Sequence, residues 1–325
     1  MAIDQRQQSS AAVAQIREAA ARVRDNVGRV IVGRDDVIEM ALVALLCEGH
    51  VLVEDVPGIG KTMMAKALAR SVGCEFRRIQ FTPDLMPSDV TGINFYNQKR
   101  GEFEFRPGPL IANIVLADEI NRATPRTQSA LLEAMEERQL TIDGVTTALP
   151  RPFLVLATQN PIELEGTFPL PEAQLDRFLL RVRMGYPDVS EEDTILLRFE
   201  AENPLDSLQP VVQAEELVRL AALLPSVHCE PAVRDYIIRI ARATRDHQST
   251  ELGASPRATL ALFRASRALA AVRGRDFVLP DDVQHLAPSV LGHRIMLGAQ
   301  SRLRGRDAES LVREVLDQVP VPVKD

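Results

Sequence analysis

The stretch His50-Val51-Leu52-Val53-Glu54-Asp55-Val56-Pro57-Gly58-Ile59-Gly60-Lys61-Thr62-Met63-Met64-Ala65-Lys66-Ala67-Leu68 decides the fold. It opens on a short apolar run, breaks at a Pro/Gly turn, and returns to helical periodicity from Lys61 to Val72. Strand, glycine loop and helix, with Gly60-Lys61-Thr62 at the helix start, make the Walker A form. Glycines let successive backbone N–H groups turn inward as an anion nest, and the helix adds its positive end. On this reading Pro57, Gly58, Ile59, Gly60 and Met63 wrap the phosphates of ATP, Lys61 reaches the β- and γ-phosphates, and Thr62 ligates Mg2+. The full pattern has a further glycine at the start of the loop; here that position is Asp55.

Downstream, Ile114-Val115-Leu116-Ala117-Asp118-Glu119 is an apolar strand ending in two acids, the Walker B form. Two carboxylates at the end of a buried strand are costly unless they meet a cation or activate something. Asp118 is therefore expected in the Mg2+ shell, and Glu119 as the group that accepts a proton from the attacking water. Asn160 closes the next strand in ATQNP, where it either orients that water or serves as a turn asparagine before Pro161. Arg177 in LPEAQLDRF and Arg257 in GASPRA are candidate γ-phosphate contacts, since a fixed guanidinium stabilises charge that develops in transfer. The residues alone do not single these two out from the other arginines.

Around these motifs, helical patterns at 10–27 and 34–48 lead in. Strand-like runs recur at 76–81, 113–117, 153–158 and 178–182, with a helical stretch at 127–137. Strands alternating with helices imply an α/β fold on a parallel sheet. Two segments break the alternation. Residues 93–106 read as an inserted hairpin carrying Phe95, Tyr96, Phe103 and Phe105, and residues 139–148 as a second one turning at Asp143-Gly144. After Tyr186-Pro187 strand signals vanish, which predicts a nucleotide-binding domain over 1–187 and a helical domain over 188–325.

The 325 residues are 46% hydrophobic with a net charge of −7, which suits a soluble protein and opposes non-specific wrapping of nucleic acid. Cys47, Cys74 and Cys229 are too few and too scattered for a disulfide framework, and the five histidines show no metal spacing. The charged N-terminus lacks an apolar leader core, so a cytoplasmic location without membrane insertion is expected.

Taken together, the chain resembles the AAA+ ATPases, and within them the MoxR family. The resemblance rests on IVGR at Ile31–Arg34, VEDVPGIGKT at Val53–Thr62, FTPDLMPSDVTG at Phe81–Gly92, ADEINRATPRTQSALLEAMEE at Ala117–Glu137, ATQNP at Ala157–Pro161 and GTFPLPEAQLDRF at Gly166–Phe178. It implies an AAA+ core, a parallel sheet sandwiched by helices, with a helical lid. Ile31–Arg34, with Val32 and Gly33 at its centre, would line the adenine. Asn160 would be sensor 1, Arg257 sensor 2, and Arg177 an arginine finger reaching a neighbouring subunit. The resemblance also implies a homo-oligomeric ring, usually a hexamer, because a finger acting in trans needs a head-to-tail interface that closes. It further implies chaperone-like maturation of other proteins, often with a partner carrying a von Willebrand factor A domain. A nucleic-acid motor or a metal-chelatase subunit are the alternatives within AAA+. Against the motor stands a second hairpin with Asp143 and no Lys or Arg.

Overall fold

The computed structural model describes residues 2–161, 166–201 and 203–322. Helices α1 (Ala2–Gly28) and α2 (Asp35–Leu46) lead to β1 (Val51–Glu54), the glycine loop and α3 (Lys61–Ser71). Then come β2 (Phe76–Gln80), the short α4 (Pro87–Thr91), a hairpin of β3 (Gly92–Asn97) and β4 (Glu102–Pro107), and β5 (Ile114–Asp118). Helix α5 (Pro125–Glu137) follows, with a second hairpin of β6 (Gln139–Ile142) and β7 (Val145–Ala148), β8 (Leu154–Gln159), the single-turn α6 (Glu172–Leu175) and β9 (Leu180–Val182).

Five strands form one parallel sheet in the order β2-β5-β8-β1-β9. Because strand side chains alternate between faces, the central strands serve two cores. Ile114 and Leu116 of β5 and Leu154 and Leu156 of β8 join the core on the side of α1–α3. Val115, Ala117, Val155 and Ala157 join the core on the side of α5. Burial on both sides explains why these strands read as unbroken apolar runs. Both inserted hairpins form over the expected residues. At the tip of the second, Asp143 and Gly144 have φ of +48° and +81°, the left-handed pair that a type I′ turn requires. A hydrogen bond from Asn94 Nδ2 to Asp143 Oδ2 at 2.9 Å ties the two hairpins together.

Beyond β9 the chain is helical: α7 (Val189–Ala201), α8 (Ala214–Leu223), α9 (Pro231–Asp246), α10 (Pro256–Val272), α11 (Pro280–Leu291), α12 (Ala299–Leu303) and α13 (Ala308–Gln318). One addition escapes the sequence pattern, a two-stranded antiparallel ribbon of β10 (Thr250–Leu252) and β11 (Met296–Leu297). Strands of three and two residues are too short to show a period. One continuous apolar core joins α1–α3 to α8–α11 across the connection from β9 to α7. Helix α1 packs against α3 on one side and α10 on the other. Among the described residues no helix is long and apolar enough to cross a membrane.

Candidate active site

The register of the sheet gathers the candidate residues at the carboxyl ends of its strands, the edge where open parallel sheets place ligands. Glu54 pairs with Gln159, and Gln80 with Asp118, so the glycine loop, the two acids and the end of β8 become neighbours. A cavity of about 330 Å3 opens there, lined by Pro57, Gly58, Gly60, Lys61, Thr62, Met63, Arg78, Asp118, Glu119 and Asn160. Of the residues expected to act on phosphates, metal or water, the fold thus brings together all but Ile59, Arg177 and Arg257. Ile59 packs against the core under the loop.

The loop is built for an anion. Gly58 and Gly60 have φ of +86° and +91°, and a Cβ on either would meet nothing within 4 Å, so it would project into open space at the cradle. Gly60 caps α3, which begins at Lys61. The Lys61 ammonium donates to the Asp55 carbonyl at 2.9 Å. Burial lowers its pKa below the usual lysine value, opposed by the charges of Asp118, Asp55 and Glu119. Asp55 itself does not adopt positive φ, so glycine is not needed at that position.

The acid pair is held by residues that sequence reasoning missed. Thr158, buried on β8, donates its hydroxyl to Asp118 Oδ1 at 2.6 Å and accepts the Glu119 amide at 2.8 Å. Arg78 of β2 donates to Asp118 Oδ2 at 2.7 and 3.1 Å. Glu119 Oε2 accepts from Gln80 at 2.8 Å and from Arg122 at 3.1 Å. Glu119 also sits at φ +57°, a left-handed conformation that costs a non-glycine residue energy and concentrates at functional sites. Thr158 lay in view within ATQNP. Arg78 and Gln80 gave only the alternation of β2, whose outward positions look like ordinary surface.

A hard divalent cation fits these donors, since a threonine hydroxyl and a carboxylate are both oxygen ligands, beside a nest suited to phosphate oxygens. The segment expected at the adenine lies apart from the cavity lining and closes on α7. Gly33 has φ +68° and the Glu191 carboxylate lies against it, while Arg34 pairs with Glu191 at 3.0 Å. Arg177 and Arg257 do not line the cavity of their own chain. They meet on Glu136 of α5, Arg177 Nε at 3.0 Å from Oε2 and Arg257 Nη1 at 3.0 Å from Oε1.

Residues 50–180 match the family described as "ATPase family associated with various cellular activities (AAA)", and residues 242–315 match the AAA lid domain. The chain is 54% identical over 300 residues to the protein YeaC of Bacillus subtilis, covering 92% of this chain and 94% of the relative. It is 46% identical over 305 residues to the chaperone MoxR1 of Mycobacterium tuberculosis, covering 91% and 80%. The crystal structure of a candidate ATPase from Cytophaga hutchinsonii superposes with a TM-score of 0.90 at 37% identity, covering 99% of this chain and 100% of that one.

Proposed function

The chain belongs to the MoxR family of AAA+ ATPases, and on that premise we propose that it is a magnesium-dependent ATP hydrolase whose cycle remodels partner proteins in a chaperone-like way. The observation that carries this reading is the meeting of the glycine cradle, Lys61 and the Asp118–Glu119 pair in one cavity. The cradle amides bind the phosphates, and Lys61 exchanges the Asp55 carbonyl for the β- and γ-oxygens. Thr62 and Asp118 would hold Mg2+, which supplies charge neutralisation across the phosphates when bound. Glu119, oriented by Gln80 and Arg122, accepts the proton of the attacking water, and Asn160 positions that water.

Arg177 serves a neighbouring subunit's nucleotide, which makes the active assembly a closed head-to-tail ring, a hexamer by family resemblance, while Arg257 acts as sensor 2 on the lid. The position of Arg177 on Glu136, outside the cavity of its own chain, supports the finger role. Family resemblance also supports a cytoplasmic setting, a protein partner carrying a von Willebrand factor A domain, and maturation of clients, by cofactor or metal insertion among other routes.

Two substitutions test the site. Glu119→Gln should bind ATP with near-native affinity but hydrolyse it at least about 100-fold more slowly, the low end of what a positioned base contributes. Lys61→Ala should lose ATP affinity. Unchanged turnover in both would sink the assignment.

A further inference from the structure

We infer that Asp55 is a positioning residue that ties the phosphate-binding half of the nucleotide site to its base-binding half, and so sets how much affinity the nucleoside adds to the triphosphate. This rests on the ATPase reading above and on the MoxR resemblance, which puts the adenine at Ile31–Arg34.

The position is one where the loop pattern offers glycine, yet its backbone conformation does not call for one. What stands there instead is a carboxylate with every oxygen engaged. Asp55 Oδ2 accepts the amides of Met184 and Gly185, each at 2.7 Å, and Oδ1 accepts the Val56 amide at 2.9 Å. Two backbone donors converging on one carboxylate oxygen are charge-assisted bonds, the stronger kind. They fix the exit of β9, where the chain turns toward α7.

From Gly185 the connections run on. Its carbonyl accepts Arg34 Nη2 at 3.4 Å, and Arg34 Nη1 donates to the Gly33 carbonyl at 2.8 Å and to Glu191 at 3.0 Å. The Glu191 carboxylate occupies the space that a Cβ on Gly33 would need. The Ile31–Arg34 segment is thereby closed against α7. The glycine loop starts at Asp55, and from its carboxylate a continuous set of bonds leads to Gly185, Arg34 and Gly33. Lys61 hydrogen-bonds the main chain of residue 55 and not its carboxylate. Glycine there would keep the phosphate half intact and release the other half.

Binding of ATP and of inorganic triphosphate, each with Mg2+, to the full chain separates the two halves. In the wild type ATP should bind more tightly than triphosphate. Asp55→Gly should reduce that preference about tenfold, through ATP alone, with triphosphate affinity held. Asp55→Asn keeps one side-chain oxygen for both amides and should stay within about threefold of the wild type. Should Asp55→Gly not fold, as judged by thermal unfolding, Asp55→Ser carries the same expectation, because its hydroxyl is too short to reach both amides. An unchanged preference in the glycine variant, equal weakening of both ligands, or an asparagine variant as impaired as glycine each overturns the inference. A wild type that binds neither ligand would instead overturn the ATP site itself.

Discussion

Arg78 lies on Asp118, its Nη2 at 2.7 Å from the Oδ2 of the acid proposed to hold magnesium. A cation seated there competes with the metal. The Arg78 side chain is half exposed, so the pair contributes no more than about 1 kcal/mol. Arg78→Ala should therefore lower the Mg2+ concentration needed for half-maximal ATP turnover by up to about fivefold. A magnesium titration at fixed ATP reads this directly. A raised requirement would mean that Arg78 acts on the phosphates and not on the acid.

The shared hold of Arg177 and Arg257 on Glu136 leads to a test of the ring. An arginine finger supplied in trans contributes roughly 10³ to 10⁵ in rate in related phosphoryl transfer. Arg177→Ala should lose activity on that scale while still binding ATP. Mixed with Glu119→Gln subunits, which keep Arg177, it should recover part of the loss. A mixture that stays inactive while both proteins co-assemble, or a dilute monomer at full rate, rules out the trans role.

Much of this site was legible because its chemistry is local in sequence. The glycine loop and the Asp118–Glu119 pair each lie within one contiguous segment, and strand periodicity placed both on the same sheet. What was not legible depends on register. Arg78, Gln80 and Thr158 join the acids only because β2 and β8 flank β5, an order that spacing does not reveal. The Asp55 clamp likewise needs β9 beside β1, which brings residues 55 and 184 together. The β10–β11 ribbon was missed for lack of length.

Two buried histidines make stability depend on pH. His50 Nδ1 accepts the Val155 amide at 3.0 Å, which leaves Nε2 to donate to the Met135 carbonyl at 3.0 Å, so the ring is neutral. Burial lowers its pKa to about 4. His293 is lowered too, by burial and by Arg294. In the unfolded chain both titrate near 6.5, so below that pH the unfolded state binds more protons and stability falls with acid. From about pH 7.5 to about pH 5.5, His50 alone should remove about 1 kcal/mol of stability, read from urea midpoints. A His50→Gln variant should start less stable and lose less. Parallel losses in the two proteins would discount this role.

The first hairpin presents an aromatic surface to solvent. None of the four rings on the first hairpin is buried: Phe103 is 73% exposed, Tyr96 52%, Phe95 40% and Phe105 38%. Side chains alternate between the faces of a strand, so rings exposed on both β3 and β4 leave none of the four hidden in the domain's own core. Tyr96 and Phe103 are cross-strand partners, their rings 5.4 Å apart edge to face. Such a preformed aromatic pair offers a rigid anchor at little entropic cost, which suits a protein interface. Tyr96→Ala with Phe103→Ala should leave basal ATP hydrolysis near normal and abolish capture of a co-expressed partner carrying a von Willebrand factor A domain. The competing account is a nucleic-acid motor, and the second hairpin argues against it, because residues 139–148 hold Asp143 and no cation to meet phosphate. DNA binding should be weak and should fade steeply as salt is added. Tight, salt-resistant DNA binding that stimulates ATP hydrolysis would replace the remodeller with the motor.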